Sequence, residues 1–169
     1  MTVEQINGLI EYYNTVAQAD AAHFGLSGGS MGGNISYAYV GHGKYKPAII
    51  APSLGTPDYT TLGDGPLYDV FGWDNHGQEP LMSKAEIREF AAAYSPIHQP
   101  ARFLDVYIYS GNGMIDFITP PEGAQALENA LKALGGTKFT FHYYEGKGHE
   151  ALPGYDSHRA LRQVLLGER

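Results

Sequence analysis

Three residues of this chain stand out for chemistry: a serine, an aspartate and a histidine, each set in a glycine-rich turn. Ser30 lies in Gly28-Gly29-Ser30-Met31-Gly32, a G-x-S-x-G pattern. A serine hydroxyl is a weak nucleophile until a base takes its proton, and the base needs a carboxylate to orient it. The pattern suits such a serine when a strand precedes it and a helix follows, because the sharp turn between them lifts the hydroxyl clear. Small residues on either side let the backbone segments of that turn approach each other. His23-Phe24-Gly25-Leu26 reads as the strand, and residues 31–40 as the helix, ended by Gly41 and Gly43. A phosphate-binding loop is the competing reading. No lysine follows in P-loop fashion, and Gly28, Ser30 and Gly33 do not complete G-x-G-x-x-G.

The candidate acid is Asp116, in Ser110-Gly111-Asn112-Gly113-Met114-Ile115-Asp116, the loop that follows an apolar strand at residues 104–109. The candidate base is His149, in Glu145-Gly146-Lys147-Gly148-His149-Glu150, just past a strand at residues 138–144. All three residues therefore fall beyond the carboxyl ends of strands, where open α/β sheets place their sites. Their order, Ser then Asp then His, is that of one class of serine hydrolases. The rivals are weaker. Asp105 sits at the leading end of its strand, on the wrong edge of a parallel sheet. His142 alternates with Phe141 and Tyr143 inside a strand, which points to a structural role. His158 begins or caps the last helix, and His23, His42, His76 and His98 lack a strand-end loop.

The elements that must position these residues alternate between strand and helix, the mark of an α/β layered domain. A first helix is expected over residues 3–19, with Val3, Ile6, Leu9, Ile10, Tyr13 and Val16 as its apolar stripe. A strand at residues 46–51 leads into an irregular stretch, 52–78, dense in Gly, Pro and Asp and carrying Tyr59, Tyr68, Phe71 and Trp73. Ser83 and Glu86 have capping-box spacing for a helix at 83–93, which Tyr94-Ser95-Pro96 stops. Thr119 is expected to cap the next helix, with Pro120 at its first position and Glu122 three residues after the cap. Ala124, Leu127, Leu131 and Leu134 form that helix's apolar face, and a final helix covers 157–166. The expectation is one α/β domain, residues 1–169, around a parallel sheet of about four strands with flanking helices.

Bulk properties narrow the function classes. The chain has 169 residues, 43% of them hydrophobic, and no cysteine, so disulfides, thiolate metal sites and a cysteine nucleophile are excluded. Its net charge is −7 and its 11 basic residues are scattered, which argues against nucleic acid or an anionic membrane surface as partner. No apolar run approaches the ~20 residues that span a bilayer. The first five residues lack the features of a signal peptide. A soluble protein is expected, with its compartment open and cytoplasmic slightly favoured, and with no cofactor and no metal.

On these residues the chain resembles the α/β-hydrolases, and most closely the C-terminal catalytic part of the prolyl oligopeptidase and related esterase group. The likeness is carried by residues 28–33, by Tyr94-Ser95-Pro96-Ile97, and by Ser110-Gly111-Asn112-Gly113 with Asp116 and Pro120. Ala130-Leu131 through Gly135 and Gly146-Lys147-Gly148-His149 complete it. The resemblance implies Ser30 as nucleophile, His149 as general base and then acid, and Asp116 as its orienter. It also implies the Met31 N–H as one oxyanion-hole donor. The expected reaction is cleavage of a small-molecule ester, with a peptide bond as the alternative and a catalytically silent binding module as the rival from another class. Residues 52–100 fall where such folds carry a cap-like insertion, so Tyr68, Phe71 and Trp73 are candidates to line a substrate pocket or simply to pack under the loop. One departure stands out. Only about 22 residues precede the nucleophile strand, whereas these folds place several strands and a second oxyanion-hole loop there. Gly41-His42-Gly43 follows the nucleophile helix and cannot replace that loop. The chain is thus expected to lack N-terminal strands, or to have its Phe24–Leu26 edge covered by self-association or by another segment.

Overall fold

A computed structural model describes residues 2–16, 20, 23–62 and 83–168. Four parallel strands, β1 (Gly25–Gly29), β2 (Ile49–Ser53), β3 (Tyr107–Gly113) and β4 (Phe139–Tyr144), form one sheet in the order β1-β2-β3-β4. Among the described residues five α-helices accompany them: α1 (Val3–Val16), α2 (Met31–His42), α3 (Lys84–Tyr94), α4 (Glu122–Ala133) and α5 (Ser157–Leu166). Parallel neighbours require crossovers, and the helical segments between strands supply them.

Strand parity builds the layers. Leu26, Ile50, Ile108 and Phe141 face a core shared with Tyr37 and Val40 of α2 and Leu127 and Leu131 of α4. The opposite face turns toward α5: a Cβ on Gly25 would meet the side chains of Leu161 and Leu165. Ile49 and Ile50 are both wholly buried, as befits a strand covered on two faces. Each such side chain contributes about 1.5–3 kcal/mol by leaving water. Tyr37, also fully buried, places its hydroxyl 2.8 Å from Ser110 Oγ, which links α2 to β3 through the core. Arg102 closes the far end of α2 by donating to the carbonyls of Val40 and Gly43.

Several expected boundaries move. Three strands start later than their apolar runs, because pairing begins only at Gly25, Ile49 and Tyr107 and continues through small and polar residues. Leu104 closes a 3₁₀ turn at Pro100–Phe103 instead of opening β3. Gly41 lies inside α2, and Gly43 alone caps it. The capping box of Ser83 and Glu86 forms as expected. Thr119 does not cap α4: Pro121 holds that position with no side-chain bond. The stripe on α1 is buried only at Ile6, while Leu9, Tyr13 and Val16 stay about half exposed. That helix is anchored instead by buried Asn7, whose Oδ1 accepts from the Tyr39 hydroxyl and the Lys44 N–H. No described strand pairs with the outer edge of β1. The side chains there are partly buried, Phe24 edge-on against Tyr39 and Leu26 against the core.

Candidate active site

The turn between β1 and α2 holds Ser30 at φ 56° and ψ −117°, a backbone conformation that side-chain-bearing residues rarely adopt. The surroundings fix it there. The Ser30 N–H donates to Ser53 O at 2.9 Å, and Ser30 O accepts from the Asn34 N–H at 3.0 Å. A Cβ on Gly28 would come within 2.6 Å of the Gly32 backbone, whereas a Cβ on Gly32 would meet nothing within 4 Å. The two glycines of the motif are therefore unequal: closeness of the backbones demands glycine at 28 and not at 32. Gly28→Ala is expected to destabilise the fold by about 1–3 kcal/mol through overpacking. Gly32→Ala should be neutral or slightly stabilising, since alanine is the better helix former. Thermal unfolding of both variants decides it, and equal losses would contradict this account.

Asp116 and His149 come from neighbouring loops after β3 and β4, which grip each other. The Ile115 N–H donates to Lys147 O, and the Met114 N–H to Tyr144 O. Gly113 would place a Cβ 2.5 Å from both the Lys147 and Gly148 carbonyl oxygens, so the loops meet only because that residue is glycine. The result is a continuous chain of hydrogen bonds. His149 Nε2 lies 2.7 Å from Ser30 Oγ, and His149 Nδ1 lies 2.8 Å from Asp116 Oδ2. The Asp116 side chain is wholly out of solvent and that of His149 is 17% exposed, so the chain runs from the interior out to a half-buried serine. Asp116 Oδ1 accepts the N–H groups of Ile118 and Thr119, while the Thr119 hydroxyl reaches Oδ2. Met31 opens α2, so its backbone N–H is one of the first-turn donors that helix geometry leaves without an intrahelical carbonyl.

The rivals stand elsewhere. Asp105 pairs with Lys46 at 2.7 Å; the hydrogen bond and charge of that ammonium hold its carboxyl below the ordinary range. His142 stacks edge-on against Tyr109, with Nε2 buried and unpartnered. His23, His42 and His98 bond the carbonyls of Leu165, Tyr94 and Ala92. His158 lies in α5, whose cap is Asp156. Gly41 and His42 close α2 at the end away from Ser30. His76, Tyr68, Phe71 and Trp73 lie outside the described residues. The sequence reading did not single out Thr119 for the site, nor Ile115 and Phe117, which flank Asp116 with large exposed apolar side chains.

The family model of the prolyl oligopeptidases matches residues 1–165. The chain belongs to the prolyl oligopeptidase family. No curated protein matches it by sequence. Among solved structures, this prolyl oligopeptidase family chain is similar to a puromycin-hydrolysing peptidase of Mycobacterium tuberculosis, at 18% identity and a TM-score of 0.74, covering 96% of this chain and 25% of that one. It is similar to an acylaminoacyl peptidase of Pyrococcus horikoshii at 17% identity and TM-score 0.62, covering 97% and 26%. A truncated carbohydrate esterase from gut microbiota matches at 19% identity and TM-score 0.62, covering 98% and 66%. These likenesses establish the α/β-hydrolase fold, and the chain spans about a quarter of the length of the two peptidases. Among the described residues no helix is long and apolar enough to cross a membrane.

Proposed function

We propose that this chain carries the catalytic triad of a serine hydrolase, with Ser30 as nucleophile, His149 as base and then acid, and Asp116 as orienter. The observation that carries the reading is the unbroken path from Asp116 through His149 to the Ser30 hydroxyl, with links of 2.8 and 2.7 Å. In this reaction Ser30 Oγ attacks an acyl carbonyl while His149 Nε2 takes its proton. Asp116 holds the Nδ1–H and stabilises the imidazolium that forms. The negative charge on the carbonyl oxygen develops toward the Met31 N–H, aided by the positive end of α2. His149 then gives its proton to the leaving group, and water activated by the same imidazole clears the acyl-enzyme.

The bond cleaved is an ester in the first reading. Membership of the prolyl oligopeptidase family, and the peptidases among its structural neighbours, favour a peptide bond as the second. Hydrolysis of a matched ester and anilide bearing the same acyl group separates the two. Exposed Met31, Ile115 and Phe117, each next to a triad residue in sequence, supply apolar contact for that acyl group.

A fluorophosphonate probe tests the triad. Labelling at Ser30 is expected, and His149→Ala should abolish it. A folded chain that stays unlabelled would favour a silent binding module. A His149→Ala chain labelled as fast as the parent would remove the histidine base.

A further inference from the structure

The carboxylate of Asp116 is held by more than its histidine. Its Oδ1 accepts the Ile118 N–H at 2.9 Å and the Thr119 N–H at 3.0 Å; its Oδ2 lies 2.8 Å from both His149 Nδ1 and Thr119 Oγ1. Two acceptor sites on each oxygen are thus filled, with no solvent reaching the side chain. Thr119 is itself buried, and its Oγ1 has two further neighbours, Leu54 O at 2.8 Å and His149 Nδ1 at 3.3 Å. Leu54 follows Ser53, whose carbonyl accepts the N–H of Ser30. It is held at φ 50°, and its own N–H donates to Gly111 O in β3. A single hydroxyl therefore touches the acid, the base and the end of β2 that holds the nucleophile's backbone.

We propose that Thr119 is a positioning residue of the acyl-transfer site: its hydroxyl donates to Asp116 Oδ2 and so fixes the carboxylate against His149. The inference rests on the triad reading above. Its physical content is a torsion. The two backbone N–H groups grip only Oδ1, so they leave the carboxylate free to turn about that oxygen and swing Oδ2 away from the imidazole. The Thr119 hydroxyl closes this freedom by donating to Oδ2, with Leu54 O as the alternative acceptor for the same proton. When His149 takes the proton of Ser30, the Nδ1–H faces both Oδ2 and the Thr119 oxygen, so the imidazolium stays in plane with Asp116. Loss of the hydroxyl leaves Oδ2 one donor short in a dry site, and the error passes along the chain to Nε2.

The test uses the whole chain and a fluorophosphonate, separating the inactivation rate constant from the probe's binding constant. Thr119→Val keeps the branched shape and removes the hydroxyl; it is expected to slow inactivation about tenfold with binding changed less than about twofold. Thr119→Ser should recover to within about threefold of the parent. Thermal unfolding checks that each variant is folded. Should Thr119→Val fail to fold, Thr119→Ser against Thr119→Ala differs by the hydroxyl alone and carries the same comparison. Equal rates in a hydroxyl-bearing and a hydroxyl-free variant, with His149→Ala unlabelled, overturn the role of Thr119 and leave the triad standing. A parent that is not labelled, or a His149→Ala chain labelled as fast as the parent, overturns the triad and this inference with it.

Discussion

Ser30→Ala and His149→Ala are each expected to reduce turnover to the background rate, and the double variant should be no slower than either. On the proposed triad, the two side chains act as one device. With Nε2 only 2.7 Å from Oγ, the proton leaves Ser30 as the new bond forms. Without His149, the hydroxyl has no acceptor; without Ser30, the imidazole has no proton to take. Where such a unit has been dismantled elsewhere, single losses reach roughly 10⁶ in kcat and do not multiply. Substrate binding is expected to survive in all three variants, so steady-state assays with intact-fold controls should read kcat cleanly. Losses that multiplied in the double variant would mean the residues act independently, and the triad assignment would fall.

Much of this site is legible in the sequence because turn chemistry is local. Gly28, Ser30 and Gly32 mark a strand-to-helix turn whatever the rest of the chain does, and Asp116 and His149 each fall in a glycine-rich loop just past a strand. Asp116 and His149 could be chosen over Asp105 and His142 by asking which end of a parallel strand each occupies. Thr119 was illegible for a physical reason. Thr119-Pro120-Pro121-Glu122 satisfies the rules for a helix start, but those rules describe a hydroxyl with no better partner. A buried carboxylate three residues earlier offers one, and the tertiary contact wins. The strand starts misled in a related way. Val106 is buried and apolar, yet it sits in a turn, while Ser110 and Gly111 continue the ladder. Burial and pairing are separate conditions, and apolar patterning reports only the first. On α1, periodicity correctly marked a helix but could not say how much of its stripe finds a neighbour.

Asp116→Asn is the second substitution with a large expected effect, and its geometry makes the loss specific. The carbonyl oxygen of an asparagine amide must take the Oδ1 place, because the N–H groups of Ile118 and Thr119 point there at 2.9 and 3.0 Å. That leaves the amide NH₂ where Oδ2 stood, facing His149 Nδ1. A donor now meets the ring nitrogen that should itself donate, so the neutral imidazole shifts its proton to Nε2. An Nε2–H beside Ser30 Oγ cannot accept the hydroxyl proton, and the nucleophile is disarmed with every heavy atom nearly in place. The wrong tautomer costs about 10⁴ in kcat in a comparable triad. Asp116→Ala removes the orienting group without imposing that tautomer, so it should lose no more than Asp116→Asn despite the larger cut. Measuring kcat for both variants, with unfolding midpoints alongside, tests the polarity of the network apart from its shape. An Asp116→Asn chain within tenfold of the parent would mean that the imidazole draws its orientation from another group.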